Sequence, residues 1–357
     1  MFSNYFLKSF RILLLPFALV YWLVISIRNF LFDKSILRST GFGLPLITVG
    51  NLSVGGTGKS PMVEYLLRLL GNRFQVATLS RGYKRKTKGY ALANESTTAL
   101  DIGDEPMQFH LKFPGVAVAV GEERLVAVPQ LLHDRPGTEV IILDDAFQHR
   151  SIKAGLNIIL TEYSNLYTRD FYLPTGDLRD LKSSAKRADV IVVTKSPEDL
   201  SQAERTKIIN ELAPGDSQQV FFTSVEYGAL YHILHHSHYT LDDNTEVLLV
   251  TGIANPRPLK VLLEAKTGAY HLLSYSDHHI FTIDDVREIG KKFAAISHGN
   301  KIILTTEKDA VRLMKFNSEI AEWPLYVIPV RHRFLFDEGA IFDEKVLNFI
   351  QAFQRPL

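Results

Sequence analysis

The run Val49-Gly50-Asn51-Leu52-Ser53-Val54-Gly55-Gly56-Thr57-Gly58-Lys59-Ser60 holds the residues best suited to chemistry in this chain. It follows the apolar stretch 46–49 and leads into a helical pattern at 62–67, the strand, loop and helix that a phosphate-binding loop needs. Glycines let the backbone curl so that several N–H groups face phosphate, and the helix N-terminus adds its positive dipole. In that arrangement Ser53, Val54, Gly55, Gly56, Thr57 and Gly58 cradle a nucleoside triphosphate, Lys59 reaches its terminal phosphates and Ser60 ligates Mg²⁺. The strict pattern G-x-x-x-x-G-K-[ST] asks for glycine at position 53, where this chain has Ser53.

Further candidates lie downstream. Val140-Ile141-Ile142-Leu143-Asp144 is four apolar residues ending in a carboxylate, the shape of a strand that presents Asp144 to a nucleotide loop and its metal. Asp145, Gln148 and His149 follow at once. Gly103-Asp104-Glu105-Pro106 sets two carboxylates where proline can begin a helix, so Asp104 reads either as a helix N-cap or as a site carboxylate. Asp277-His278-His279 offers an imidazole beside a carboxylate, fit for orienting or accepting a proton. Arg81 sits in the basic loop 80–86, and Arg124 and Arg179 are further candidates for phosphate or headgroup contact. His235, His236 and His238 occupy a polar stretch without carboxylates at fitting periodicity, so solvated surface is the expectation there rather than a metal site.

These side chains need a scaffold, and 357 residues, 46% of them hydrophobic, suffice for two α/β domains. There is no cysteine, which removes disulfides, thiolate zinc sites and cysteine nucleophiles together. Lys plus Arg number 40 against 39 Asp plus Glu, so no global charge recruits nucleic acid. The N-terminus differs in kind. Residues 12–27 are uncharged, bounded by Arg11 and Arg28, with Lys8, Lys34 and Arg38 nearby. As a helix this run reaches about 24 Å, short of a hydrocarbon core of about 30 Å. No small-residue cleavage site follows it, so a retained membrane anchor, lying in the interface or entering one leaflet, is expected, with a buried core helix as the other possibility.

After that segment, short apolar runs alternate with helical patterns. Strands are expected at 46–49, 75–79, 116–120, 140–144, 157–160 and 190–194, with a helix at 201–212, a largely parallel sheet covered by helices. A second block has strands at 247–250, 301–305 and 325–329 and helices at 259–266, 284–295 and 344–353. The expected division is an N-terminal membrane-associated helix at 1–38, a P-loop NTPase-like nucleotide-binding domain at 39–231, a linker at 232–246 and a smaller C-terminal α/β domain at 247–357.

The motifs GNLSVGGTGKSP, LSRGYKRKTKG, GDEP, AVGEER, DDAFQH, PTGDLRD, IVVTK, TGIANP, SDHH and TTEKDA follow one another in this order. In that order the chain resembles the tetraacyldisaccharide 4'-kinases, the lipid A 4'-kinases of Gram-negative bacteria, over almost its whole length. The resemblance implies an ATP- and Mg²⁺-dependent enzyme that phosphorylates the 4'-hydroxyl of an acylated glucosamine disaccharide at the cytoplasmic face of the inner membrane. It implies a lipid substrate and a membrane surface as partners, with no nucleic acid and no obligate protein partner. It makes Asp104 and His278 a catalytic pair, gives Lys59 and Ser60 the phosphate-loop roles, and sets Asp144 and Asp145 near the metal. Arg179 and Asp180 are expected near the site, with Arg81, Arg124, Gln148 and His149 as substrate contacts. The family more often shows DDGFQH and an Arg-Glu pair, whereas this chain has Ala146 and Asp180. The competing function is a membrane-associated P-loop ATPase switch acting on a protein partner. Such switches carry a lysine just before the paired glycines, where this chain has Ser53 and Val54.

Overall fold

The structure, a computed structural model, describes residues 11–353. Fifteen strands form two sheets among the described residues. In chain order the first eight are β1 Leu46–Asn51, β2 Val76–Ser80, β3 Ala91–Leu92, β4 Ala117–Val120, β5 Val140–Asp144, β6 Leu156–Glu162, β7 Val190–Thr194 and β8 Gln219–Tyr227. Then come β9 Leu230–His232, β10 His238–Tyr239, β11 Glu246–Thr251, β12 Ala269–Ser274, β13 Lys301–Thr306 and β14 Leu325–Ile328, and β15 Val330–Phe334 closes the series.

The first sheet runs β15-β8-β7-β6-β1-β5-β2-β4-β3. Its seven central strands are parallel, and β3 and β15 add antiparallel edges. Continuous apolar runs such as VIILD and VIVVT are buried along their whole length, as strands covered by helices on both faces must be. In the β1/β5 register Val49 lies opposite Asp144. The phosphate loop and the acidic strand end therefore share one edge of the sheet, the carboxyl edge where such sheets bind ligands. The second sheet runs β10-β9-β14-β13-β11-β12, parallel through its last four strands. The fold class expected from sequence is thus the observed one, with its apolar N-terminal helix.

The division along the chain differs from expectation at two places. The stretch expected to be a linker, 232–246, supplies the end of β9 and all of β10, because His232 and Tyr231 pair with Tyr326 and Val327 of β14. His235, His236 and His238 are exposed there, and no metal-holding cluster forms among the described residues. The chain's last part also returns to the first sheet. β15 pairs with β8, and Phe342, Val346 and Ile350 of the helix Gly339–Ala352 join the core beneath β1. The driving contacts are aromatic: Phe334 and Phe342 lie 4.7 Å apart and Phe221 meets both, the tilted and edge-on pairings such rings prefer. The chain thus crosses between sheets at Gly228 and again at Pro329, and the Gly228 N–H donates to the Pro329 carbonyl at 3.0 Å.

The helix Leu15–Asp33, continuing a short 3₁₀ turn at Ile12–Leu14, is a 22-residue apolar segment, about 33 Å long. Lys8, one of the flanking cations, lies outside the described residues. The helix is not a core helix: eleven large apolar residues between Ile12 and Phe30 are exposed, and only Ala18, Ile25 and Asn29 are buried. Its inner stripe is tied to the body along its length. Arg11 pairs with Asp177, the Tyr21 hydroxyl donates to the Arg179 carbonyl, Arg28 donates to the Gln148 carbonyl, and Arg150 bridges the Asn29 carbonyl and Asp33.

Candidate active site

Two sheets and three short segments converge on the phosphate loop. Gly55 and Gly58 take φ of 114° and 88°, values that side chains other than glycine rarely adopt. The loop is pinned from three directions. The Thr194 hydroxyl donates to the Thr57 carbonyl at 2.9 Å, Asn51 Nδ2 donates to Thr57 Oγ1 at 2.9 Å, and the Val54 N–H donates to the Asp177 carbonyl at 2.7 Å. His332 of β15 completes the frame: its Nε2–H donates to the Gly58 carbonyl at 2.9 Å, and its Nδ1 accepts from Thr223 Oγ1 at 2.9 Å. Burial pushes this imidazole down to about 4, against the opposing pull of the Gly58 hydrogen bond, so the ring is neutral.

Lys59 opens the helix Lys59–Leu70, and its ammonium stands 3.6 Å from Asp145. Arg179 reaches both Asp145 and Asn51. Burial pushes the Asp145 carboxyl up, but the Arg179 hydrogen bond and Lys59 more than offset it and hold it below the usual carboxylate range. Asp144 is different. It is 2% exposed, and its Oδ1 is buried without a hydrogen-bond partner among the described residues. Burial first, then Glu105 and Asp145, raise it to about 7 against the pull of Lys59 and Arg124. A buried, unsatisfied carboxylate oxygen is costly, and a bound cation would satisfy it.

The GDEP segment brings its two carboxylates to this edge by different routes. Gly103, with φ of 94°, is the N-cap of the helix Asp104–Lys112. A Cβ there would stand 2.9 Å from the Tyr83 carbonyl, so the close approach needs glycine. Asp104 is therefore not the cap; it is the first helical residue and turns outward. Glu105 Oε1 accepts from the Ser60 hydroxyl at 2.9 Å and from Lys308 at 2.7 Å. Burial raises Glu105, yet Lys308, then Lys59 and the Ser60 hydrogen bond, bring it below its ordinary range.

His278 comes from the second sheet, on the loop after β12. Its N–H donates to the Gly252 carbonyl at 3.2 Å, it sits at φ of 60°, and its ring faces Tyr83 edge-on at 6.2 Å. Its Nδ1 lies 3.5 Å from Asp104 Oδ2, so the pair meets across the two sheets. His279 turns away, bonding Asp285 at 2.9 Å and stacking on Tyr275. Two site residues, Asp145 and His278, are non-glycine residues at positive φ, a conformation that costs about 1–3 kcal/mol. Asp145 itself carries the positive φ of the DDAFQH turn, so glycine is not needed at position 146.

The remaining candidates divide. Arg81 is exposed on its loop. Arg124 is 1% exposed and donates to the Gly121 carbonyl, and burial lowers it to about 10. It acts on Asp144 and Asp145 through charge rather than as an open anion contact. Gln148 Nε2 donates to the Asn51 carbonyl at 2.8 Å and braces the loop's flank, whereas His149 bonds Ser151 and the Glu122 carbonyl, away from the loop. Asp180 points away from Arg179's partners. It is 1% exposed and accepts from Asn29, Ser184, Arg187 and the Leu181 N–H. Its expected place near the site is replaced by a place beneath the N-terminal helix. Lys308, Arg312 and His332 were not singled out from the sequence. The first two lie in and just after TTEKDA, a motif whose charged residues were available to inspection, whereas nothing in the strand VRHRF marks His332.

The geometry suits Mg²⁺. Ser60 Oγ, Asp144 and Asp145 are hard oxygen donors at one edge of the sheet, and Asp144 Oδ1 has no hydrogen-bond partner among the described residues. No cluster of three or more His, Cys, Asp or Glu that could hold a metal ion forms among the described residues; Mg²⁺ is in general held by one or two carboxylates together with substrate phosphates and waters.

The chain matches the profile of the tetraacyldisaccharide-1-P 4'-kinases over residues 10–351. It is 46% identical over 347 residues to the tetraacyldisaccharide 4'-kinase of Flavobacterium johnsoniae, covering 97% of this chain and 99% of that one. The enzyme of the same name from Bacteroides thetaiotaomicron is 41% identical over 352 residues, covering 95% and 93%. Among solved structures, that of LpxK from Aquifex aeolicus in complex with ATP aligns with a TM-score of 0.75 at 27% identity, covering 96% of this chain and 99% of that one. Nothing in these similarities supports the protein-switch alternative. From its motifs, its fold and these relatives together, the chain belongs to the tetraacyldisaccharide-1-P 4'-kinase family.

Proposed function

We propose that this protein transfers the γ-phosphate of ATP to the 4'-hydroxyl of a tetraacyl glucosamine disaccharide 1-phosphate, taking the lipid from the cytoplasmic face of the inner membrane. The observation that carries this reading is the meeting of Asp104 and His278, from two different sheets, beside a phosphate loop. A nucleotide switch has no use for a carboxylate–imidazole pair facing outward from that loop. An enzyme that activates an alcohol does.

In the reaction, the 4'-oxygen attacks the γ-phosphorus as the bond to the β–γ bridging oxygen breaks, and ADP leaves. Asp104, with His278 beside it, takes the hydroxyl proton, which at neutral pH does not leave a sugar alcohol unaided. Lys59 and the loop N–H groups neutralise charge on the transferring phosphoryl group. Ser60, Asp144 and Asp145 would hold Mg²⁺, which when bound supplies charge neutralisation at the triphosphate. Asp144 needs to be ionised for that role, and a bound cation would favour its charged form.

The N-terminal helix supports a surface-bound rather than spanning arrangement. Its ties from Arg11 to Asp33 hold one stripe against the body, while its outward face is apolar. Burying each large apolar side chain is worth about 1.5–3 kcal/mol, so that face favours the acyl region of a bilayer over water. The decisive experiment incubates purified protein with labelled ATP, Mg²⁺ and a disaccharide lipid lacking the 4'-phosphate. Label at the 4' position supports the reading; ATP hydrolysis without lipid labelling refutes it.

A further inference from the structure

We propose that Arg312 is the positioning residue of the Asp104–His278 pair, fixing one oxygen of the carboxylate and one nitrogen of the imidazole so that Asp104 Oδ1 and His278 Nε2 remain to work on the acceptor. The inference rests on the kinase reading above.

Arg312 lies on the short helix Glu307–Leu313, and its side chain is 6% exposed. Its Nε and Nη2 both donate to Asp104 Oδ2, at 2.9 and 2.7 Å, and its Nη1 donates to Asp309 Oδ1 at 3.0 Å. The same Nη2 stands 3.0 Å from His278 Nδ1. A guanidinium carries only donors. At that contact Nδ1 must therefore accept, which puts the imidazole proton on Nε2. The 3.5 Å approach of Nδ1 to Asp104 Oδ2 is then a meeting of two acceptors held by one cation, not a hydrogen bond between them.

The anchor of this arrangement is Asp309, which is fully buried. Its Oδ2 accepts from the Gly252 N–H at 3.0 Å and from the Thr306 hydroxyl at 2.7 Å, while the Gly252 carbonyl accepts the His278 N–H at 3.2 Å. One buried carboxylate thus fixes both the arginine and the turn that carries the histidine. A lysine cannot reproduce this, because two bonds to one carboxylate oxygen, a third to Asp309 and the imidazole contact need the planar fork of arginine.

The test compares wild type with Arg312→Gln, Arg312→Lys and Arg312→Ala in the lipid phosphorylation assay, together with thermal unfolding and ¹⁵N spectra of histidine-labelled protein, His278 being assigned by its loss in His278→Gln. Arg312→Gln is expected to lower kcat about 100-fold, the cost of small misplacement at a reacting centre, with KM for ATP changed by less than about threefold. Arg312→Lys recovers less than a tenth of the lost rate, and millimolar guanidinium restores part of the Arg312→Ala activity. In wild type the His278 ring shows an unprotonated Nδ1 and a protonated Nε2, and Arg312→Gln mixes the two tautomers. Full kcat in Arg312→Gln, or a lowered melting temperature with kcat intact in the folded enzyme, overturns the proposal, as does an unchanged ring signature. Failure of wild type itself to label the lipid would instead remove the kinase reading. The ring spectra need no substrate and still decide whether Arg312 sets the tautomer.

Discussion

Asp104 Oδ2 and His278 Nδ1 lie 3.5 Å apart although one side chain hangs from a helix beside the first sheet and the other from a loop of the second. Only a cleft between the sheets can make both necessary to one reaction. Asp104→Ala should lower lipid phosphorylation by about two to four orders of magnitude, the span of a general base, and His278→Ala by at least about tenfold. The double variant should lose much less than the product of the two, because partners that act as a unit are not additive. Steady-state rates of the four proteins measure this, and fully multiplicative losses would mean that the two groups act separately.

Lys59→Ala should abolish detectable transfer while leaving the unfolding midpoint within about 1 kcal/mol of wild type. The lysine belongs to no apolar core: its side chain is 15% exposed and its ammonium faces Asp145 at 3.6 Å. Loss of folding with retained specific activity would contradict this.

How much of this was legible in the sequence follows from how local each signal is. The phosphate loop and the β5 carboxylate were readable because each is a contiguous run, an apolar strand followed by its chemistry. The edge strand β12 escaped notice because its residues are mostly exposed and carry no apolar run. The C-terminal helix falls in the 247–357 block by its place in the sequence, and adjacency in sequence says nothing about Phe221 and Phe342 meeting in the first sheet's core. Arg312 and Lys308 reach the GDEP carboxylates about two hundred positions away, and that information is not in any window of the chain. Asp180 shows the reverse error: its motif places it next to Arg179, but its side chain turns to Asn29, Ser184 and Arg187 while that of Arg179 turns to Asp145 and Asn51.

Asp180 separates a structural from a catalytic role. Its buried carboxylate accepts from Asn29, Ser184 and Arg187, so Asp180→Ala leaves several donors unmet and should cost about 2–3 kcal/mol of stability, with Asp180→Asn costing less. The folded fraction should keep its kcat, while binding to anionic vesicles weakens as the N-terminal helix loosens. Deleting residues 1–28 should weaken vesicle binding further and leave ATP binding in place. A kcat loss in Asp180→Ala at unchanged stability would return this residue to the chemistry.

The final expectation concerns acid. His332 holds the Gly58 carbonyl of the phosphate loop with a neutral ring whose value is pushed down by burial to about 4. Unfolded, the same imidazole takes up a proton near the ordinary value of about 6.5. Between those values the unfolded chain binds more protons than the folded one, so stability must fall as pH drops from about 6.5 toward 4, by on the order of 3 kcal/mol in full. Above that window this residue adds no pH dependence. His332→Gln keeps a donor for the Gly58 carbonyl but cannot titrate, so its stability should lack this component. Denaturant unfolding of both proteins at about pH 7 and pH 5 provides the measurement. The advantage of wild type over His332→Gln should shrink by about 2 kcal/mol on acidification. A difference that stays constant would show that the ring is not held neutral beneath the loop.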